Sequence, residues 1–332
     1  MDTPLRLPTP DDIEAAARRI APWAVKTPFL EHHELGARVG ARVFLKLEMF
    51  QRTGSFKFRG ASNRILLIPE AERARGVVAF SSGNHAQGVA AVAGLLGIPA
   101  TIVMPADAPR AKIEGTRALG ARIVNYDRVT EDREAIAAEI VEKTGATLVR
   151  PFDDADVVAG QGTAGLEIAR AAAAQGVSLD AVLVPCSGGG LVTGIATALS
   201  RESPRTKVYS VEPEGFDGMR QSHDKGERVA APGGRLSIAD ALMAPMPGRV
   251  PFALAKQYLA GGLAVNDNAL ACAVSYAFRH IKVVAEPGGA AALAALLTGA
   301  FDARRGTLAM VVSGGNADPD TVSNCCARFP EP

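Results

Sequence analysis

Short apolar runs alternate with longer amphipathic stretches along almost the whole chain. The apolar runs are rich in Val, Leu and Ile, and they predict strands at residues 42–47, 76–80, 100–104, 121–126, 147–150, 181–185, 207–211 and 307–312. The stretches between them are rich in Ala, Leu, Glu and Arg, which is typical of helices; residues 131–143 and 162–174 are examples. Strands that alternate with helices in this way form parallel sheets covered on both faces. The pattern therefore predicts an α/β fold.

The composition adds limits on size, partners and location. The 332 residues, of which 48% are hydrophobic and 21% charged, are enough for two globular domains. A formal net charge of +1 argues against binding to nucleic acid or to an anionic membrane. The four cysteines form no CxxC pair, and residues 1–20 lack the apolar core of a signal peptide. We therefore expect a soluble protein of the reducing cytoplasm.

Four loops at the predicted strand ends carry candidate chemistry, because parallel sheets bind ligands at the carboxyl ends of their strands. The first, the lysine loop, is TGSFKFRG at residues 53–60. Its Lys57 lies between Phe56 and Phe58 at a predicted helix start. Aromatic neighbours that exclude water lower the pKa of an amine, so Lys57 is a candidate nucleophile. In isolation the pattern also fits a surface lysine beside two core aromatic residues.

The second loop, the asparagine loop, is FSSGNHAQG at residues 80–88, where a predicted strand leads into a helix. Hydroxyl and backbone N–H groups at a helix N-terminus can bind a carboxylate. An ordinary capping turn fits the same residues. His85 is a candidate catalytic base, although a histidine here is more often a structural hydrogen-bonding residue.

The third loop, the glycine loop, is CSGGGL at residues 186–191. The uncharged segment 181–200 is about long enough to span a bilayer, but Pro185 and three glycines interrupt it, which favours strand, turn and helix. Consecutive glycines let backbone N–H groups approach a phosphate closely. Because neither the P-loop nor the dinucleotide spacing is present, a monophosphate fits best.

The fourth loop, the serine loop, is VSGGN at residues 312–316, after the last predicted strand. Its Ser313 is in a position to direct a hydroxyl at a heteroaromatic nitrogen. Considered alone, the segment also fits an ordinary turn at a strand end.

In this order, the four loops resemble those of the fold-type II pyridoxal-phosphate family, which includes threonine and serine dehydratases, serine racemases and hydroxyaspartate dehydratases. The segments SFKFRG at 55–60 and SSGNHAQG at 81–88 carry most of the resemblance, which extends from residue 25 to Asn316. It implies a fold like that of the tryptophan synthase β subunit, a small amino-acid substrate and a homodimer.

The resemblance also implies two domains, each with a mostly parallel sheet flanked by helices. The large domain, which binds the cofactor, is discontinuous and comprises residues 1–69 and 149–332. The small domain comprises residues 76–148.

Roles for individual residues follow from the same resemblance. Lys57 corresponds to the lysine that holds pyridoxal 5′-phosphate as a Schiff base and removes the α-proton. The other implied cofactor contacts are Phe56 beside the ring, Asn84 at the 3′ oxygen, Ser187, Gly188, Gly189, Gly190 and Leu191 at the phosphate, and Ser313 at the pyridine nitrogen. The implied substrate contacts are Ser81, Ser82, Gly83, Asn84, His85 and Arg133. Ser82 also matches the acid or base of serine racemases. A solvated helix arginine is an equal alternative for Arg133.

The resemblance leaves a magnesium site open. Some relatives bind Mg²⁺ through the glutamate of a Val-Glu-Pro, a carbonyl four residues on and an aspartate six residues on. Here Glu212 and Phe216 match the first two positions, but Gly218 stands at the third and Asp217 lies one residue early. The candidate ligands are therefore Glu212, Phe216 and Asp217, whose oxygen atoms suit Mg²⁺.

A serine at the pyridine nitrogen, unlike an aspartate, does not keep that nitrogen protonated, which favours loss of a β-hydroxyl over transamination. We therefore expect a dehydratase that removes water and ammonia from a β-hydroxy amino acid of the L-threonine or L-serine type and gives a 2-oxo acid. The alternatives are a serine racemase, a 3-hydroxyaspartate dehydratase, a hydroxyectoine-utilisation dehydratase and a regulator that binds an amino acid without turnover. A hydroxyaspartate enzyme needs an added cation, for which Arg133, His85 and Arg110 are candidates.

Overall fold

The computed structural model describes residues 5–108, 110–127, 129–234, 236–304 and 306–331. The strands of this part are β1 (Phe29–Glu31), β2 (Arg42–Leu47), β3 (Val77–Phe80), β4 (Ala100–Pro105), β5 (Arg122–Tyr126), β6 (Thr147–Leu148), β7 (Ala181–Pro185), β8 (Lys207–Pro213), β9 (Leu259–Val265) and β10 (Thr307–Val312). All eight predicted strands are present, and β1 and β9 are additional to them.

Helices connect most of the strands. They are α1 (Pro10–Ile20), α2 (His33–Val39), α3 (Lys57–Leu66), α4 (Asn84–Leu96), α5 (Arg110–Ala118), α6 (Arg133–Thr144), α7 (Ala155–Ala174), α8 (Gly190–Glu202), α9 (Gly218–Lys225), α10 (Arg249–Tyr258), α11 (Asp267–Tyr276), α12 (Ala291–Leu297) and α13 (Pro319–Arg328). Both helices named from the sequence are confirmed.

The strands form two sheets. One has the order β1-β2-β10-β7-β8-β9, in which only the β1–β2 pair is antiparallel, and the other has the parallel order β5-β4-β3-β6. The α/β fold class is therefore confirmed. The strands of the four-stranded sheet all come from the predicted small domain, whereas the exact domain boundaries stay a prediction.

Strand order and register bring three of the four loops together. In the six-stranded sheet, Leu47 at the end of β2 pairs with Val312 at the end of β10, and Met310 pairs with Leu183 of β7. The lysine, serine and glycine loops consequently leave the same edge of one sheet. The asparagine loop leaves the carboxyl end of β3 in the other sheet.

Glycines allow the helix pair that carries the glycine loop to pack closely. A Cβ atom at Gly162 of α7 would lie 2.8 Å from the carbonyl oxygen of Gly194 in α8, and one at Gly165 would lie 2.9 Å from Ile195. Because real Cβ atoms do not approach so closely, any larger residue would push α8 away from α7. The position of the glycine loop, which precedes α8, depends on this contact.

A buried charge cluster fixes the helix that begins at Lys57. The guanidinium of Arg59 donates to Glu48 at 2.7 and 2.9 Å and to Glu167 of α7 at 2.7 and 2.9 Å. Lys46 of β2 also donates to Glu167. Arg59, Glu48 and Lys46 are almost completely buried, so each charge depends on these partners. The cluster joins α3 to β2 and α7.

Within the described residues, none of the helices has both the length and the apolar character needed to cross a bilayer. The segment 181–200 forms β7, the glycine loop and most of α8, as the sequence predicts.

Candidate active site

The four loops surround a cleft of about 200 Å³. It is lined by every residue predicted to contact the cofactor or the substrate: Phe56, Lys57, Ser81, Ser82, Gly83, Asn84, His85, Arg133, Ser187, Gly188, Gly189, Gly190, Leu191 and Ser313. The structure thus brings together residues more than 250 positions apart in the chain. Their individual roles remain predictions.

Lys57 presents an amine inside this cleft. Its Nζ donates to the carbonyl oxygen of Pro151 at 2.8 Å and lies 5.3 Å from the centre of the Phe56 ring. Burial lowers the pKa of Lys57 to about 8, although the charge of Glu286 acts in the opposite direction. A substantial fraction of the amine is therefore neutral, and nucleophilic, near neutral pH.

The glycine loop offers backbone N–H groups at the start of α8. Gly189, the N-cap, has a φ of +98°, which favours glycine, and no side chain caps the helix. A Cβ atom at Gly188 would overlap the ring of Phe152, which also lines the cleft. An uncapped helix N-terminus with no side chains in the way is what a phosphate requires. The loop therefore fits the phosphate of pyridoxal 5′-phosphate.

The asparagine loop forms a second uncapped helix start. The N-cap of α4 is Gly83, which lacks a side-chain hydrogen bond, and a Cβ atom there would meet open space. This end of α4 faces the cleft together with the hydroxyls of Ser81 and Ser82. Its dipole and free donors suit a carboxylate.

His85 differs from the other polar residues of this loop because its side chain is buried. Its Nε2 lies 2.8 Å from the carbonyl oxygen of Val149, which can only accept, so Nε2 carries the proton. Burial lowers the pKa of His85 to about 3, with a further contribution from the charge of Lys57. The ring is neutral at physiological pH, which favours the structural role over the catalytic base.

Ser313 is tied directly to the lysine loop. Its carbonyl oxygen accepts from the backbone N–H of Phe56 at 3.1 Å, and its own N–H donates to Gly289 at 3.2 Å. The residue is 6% exposed and lines the cleft. This backbone hydrogen bond joins the loop that carries the Ser313 hydroxyl to the loop that carries the Lys57 amine.

Sequence reasoning missed Glu286, a buried carboxyl in the same cleft. Its Oε1 accepts a hydrogen bond of 2.6 Å from the amide nitrogen of Asn84. Burial raises the pKa of Glu286 to about 7. The segment EPGG at residues 286–289 has no helical or strand periodicity, so the only signal was an acidic residue among small ones.

Sequence reasoning also missed one cation near the cleft, Lys112. Lys112 of α5 lines the cleft and forms an ion pair of 2.6 Å with Asp240, which lines it too. Arg133 lines it too, with its guanidinium 5.5 Å from the centre of the Phe80 ring. Arg110 pairs with Glu114 and is not a lining residue, so only Arg133 of the predicted cations supplies a charge here.

The candidate metal ligands lie outside the cleft. The carboxylate of Glu212 accepts from the backbone N–H groups of Met219 at 2.9 Å and Arg220 at 2.8 Å, which caps α9. Asp217 forms an ion pair with Arg220, and the N–H of Phe216 donates within its own turn. In the described part of the chain, no group of three or more His, Cys, Asp or Glu side chains is placed to hold a metal ion. The structure therefore gives the magnesium prediction no support.

A comparison with known families decides the cofactor. A family model described as "Pyridoxal-phosphate dependent enzyme" matches residues 20–314. The chain belongs to this family. Both the family and the cofactor expected from the four loops are thereby confirmed.

The relatives carry more than one name. The chain is 43% identical over 317 residues to an L-threo-3-hydroxyaspartate ammonia-lyase of Pseudomonas, covering 95% of this chain and 97% of the relative. It is 42% identical over 316 residues to the L-threonine ammonia-lyase of Thermotoga maritima, covering 95% and 77%. The solved structure of maize serine racemase superposes with a TM-score of 0.90 at 35% identity, covering 98% and 99%.

Proposed function

We propose that this chain is a pyridoxal-phosphate-dependent ammonia-lyase that removes water and ammonia from a β-hydroxy amino acid of the L-threonine or L-serine type. The observation that carries the proposal is that Lys57 and Ser313 both line the cleft, on loops joined by a backbone hydrogen bond. When bound, the cofactor withdraws electrons from the substrate α-carbon. A serine hydroxyl does not hold the pyridine nitrogen protonated, which favours loss of the β-hydroxyl.

The residues of the chain bind and orient the substrate and accept its α-proton. The N-terminus of α4 binds the substrate carboxylate through its free N–H groups and the hydroxyls of Ser81 and Ser82. Binding there orients the α-carbon, and the neutral amine of Lys57 takes the α-proton at Nζ. The carbonyl oxygen of Pro151 holds that amine in place by accepting its hydrogen bond.

A second candidate function is the ammonia-lyase reaction on 3-hydroxyaspartate. This substrate carries an additional carboxylate on its β-carbon, which needs a cation. Lys112 and Arg133 both line the cleft, and the pairing of Lys112 with Asp240 shows that its ammonium can bind a carboxylate there. The relative from Pseudomonas bears this activity in its name.

Racemisation of serine is a third candidate, because Ser82 lines the cleft on the asparagine loop. A hydroxyl on the face opposite Lys57 would return a proton to the α-carbon and invert it. We expect elimination to dominate and racemisation to be a minor side reaction through Ser82.

The test is a panel of β-hydroxy amino acids incubated with the cofactor-loaded enzyme. Release of 2-oxo acid is measured, and residual substrate is resolved by chiral chromatography. We expect L-threonine or L-serine to give the fastest release, and Lys57→Ala to give none. Lys112→Met should affect only turnover of 3-hydroxyaspartate, since the other substrates lack the β-carboxylate.

Two outcomes would overturn parts of this proposal. If the wild-type enzyme formed D-serine faster than pyruvate, it would be a racemase. If L-threo-3-hydroxyaspartate outcompeted L-threonine and Lys112→Met reversed the order, the second candidate would replace the first. Ser82→Ala separates racemisation from elimination, because it should abolish enantiomer exchange and retain measurable deamination.

We also propose a homodimer located in the cytoplasm. All four cysteines are free, with Cys186 and Cys325 buried, which suits a reducing compartment. Light scattering of the purified protein and cell fractionation test the two statements separately.

A further inference from the structure

The buried carboxyl of Glu286 has no assigned part in the reaction, yet the surrounding chain fixes it rigidly. Its backbone N–H donates to the carbonyl oxygen of Gly314 at 3.1 Å, and its own carbonyl oxygen accepts from Ala290 at 3.0 Å. A Cβ atom at Gly314 would overlap Oε1 of Glu286. The serine loop therefore contains a glycine where this carboxyl needs space.

Asn316, in the same loop, determines which way the amide of Asn84 points. The side-chain nitrogen of Asn316 donates to the carbonyl oxygen of Thr53 at 2.7 Å. Because that backbone oxygen can only accept, the orientation of the Asn316 amide follows from the network. Its second N–H donates to Oδ1 of Asn84 at 2.7 Å.

The oxygen of Asn84 is thus directed to Asn316, and its nitrogen is directed to Glu286. One N–H of this nitrogen donates to Oε1 of Glu286 at 2.6 Å. An amide nitrogen carries two protons, so one donor of Asn84 remains available to the cleft that the residue lines. Reversal of the amide would place an oxygen against the carboxyl of Glu286 and remove that donor.

We propose that Glu286 and Asn316 are positioning residues that hold one N–H of Asn84 available for the 3′ oxygen of pyridoxal phosphate. Glu286 accepts the other N–H, and Asn316 fixes the polarity of the amide. The inference rests on the proposed function only in that Asn84 contacts the cofactor. The charged groups that act on Glu286 are Lys57, Lys112 and Asp240.

A double-mutant cycle on cofactor affinity tests this inference. Asn84→Ala removes one hydrogen bond to the cofactor and should weaken its binding about tenfold. Glu286→Ala should cost a similar factor, because the side-chain nitrogen of Asn84 then loses the acceptor that holds its other N–H in place. The double variant should also lose about tenfold rather than about a hundredfold, since Glu286 acts through Asn84.

Conservative variants show whether the hydrogen-bonding groups or the sizes of the Glu286 and Asn316 side chains are responsible for the effect on the cofactor. Glu286→Gln keeps an oxygen acceptor and should bind the cofactor within about threefold of wild type. Asn316→Asp has no donor for Asn84, so it should shift the absorption maximum of the bound cofactor, which reports on its 3′ oxygen. Glu214→Gln, which changes an exposed carboxyl outside the cleft, is the matched control.

Any one of three results would overturn the inference. They are additive losses in the mutant cycle, an unchanged cofactor affinity in Glu286→Ala, and an unchanged absorption spectrum of the cofactor bound to Asn316→Asp. If Glu286→Ala does not fold, Glu286→Gln and Asn316→Asp still test the inference. Affinity and absorption are measured without turnover. A wild-type enzyme that binds the cofactor but releases no 2-oxo acid would therefore contradict the proposed function and leave this inference intact.

Discussion

The amine of Lys57 should take up pyridoxal phosphate at a rate set by its neutral fraction, because a protonated amine has no lone pair with which to attack an aldehyde. An ordinary lysine has a pKa of about 10.5, so about one amine in a thousand is neutral at pH 7.5. Burial lowers the pKa of Lys57 to about 8. At the same pH about a quarter of the Lys57 amines should therefore be neutral, a gain of roughly two hundredfold.

The predicted rate profile for the apoenzyme follows from this pKa. The rate should rise about tenfold per pH unit below about pH 7 and level off above about pH 9. Because the negative charge of Glu286 raises the pKa of Lys57, Glu286→Gln should move the rise to lower pH. Glu214→Gln, outside the cleft, should leave the profile unchanged.

Stopped-flow absorbance between about pH 6 and pH 10 measures this profile, with Nα-acetyl-lysine as the free-amine reference. Borohydride reduction and peptide mapping should then place the label on Lys57, and Lys57→Ala should carry none. A rate that continued to rise up to pH 10, parallel to the reference, would refute the argument that burial activates this amine. A label on another lysine would refute the assignment of the residue.

Three further results are expected. Gly188→Ala should weaken cofactor binding about tenfold in an absorbance titration, because the added methyl overlaps Phe152 and forces the phosphate loop to move. Wild-type protein should lose thermal stability as pH falls from about 6.5 towards about 3, because the unfolded chain then protonates His85 and the folded chain does not; His85→Asn should show a shallower decline. Arg59→Ala should cost about 3–5 kcal/mol in urea unfolding by removing the guanidinium donors of the buried Glu48 and the partly buried Glu167, whereas exposed Arg304→Ala should cost little.

Much of the cleft could be predicted because its residues follow buried strands in short, unusual loops. Lys57 at the start of α3 and the glycines before α8 have sequence environments that few structural roles explain. Residues 42–47 and 307–312 matched β2 and β10 at both ends, since compact β-rich runs have clear boundaries. The prediction that Lys57 and Ser313 lie at the same site depended on the strand order, and the family resemblance was needed to infer that order.

Strand β9 shows why local patterns miss part of the fold. Its sequence, LAGGLAV, contains two glycines and no β-branched residue until Val265, which disfavours a strand. In the sheet, a Cβ atom at Gly262 would lie 2.7 Å from both Ser210 and Arg220. The glycine is required by a neighbour that is distant in the sequence, so tertiary packing overrides the local preference.

Glu286 escaped prediction for a related reason. It lies outside the helices and strands, in a segment without periodicity, and its burial depends on a glycine at position 314 and an amide at position 84. Such a carboxyl is costly to bury unless a donor compensates it. The fold meets this cost with Asn84, the residue that the family resemblance places at the cofactor. A buried acid whose only side-chain donor, in the described part of the chain, is the residue predicted to contact the cofactor is better explained by positioning than by stability alone.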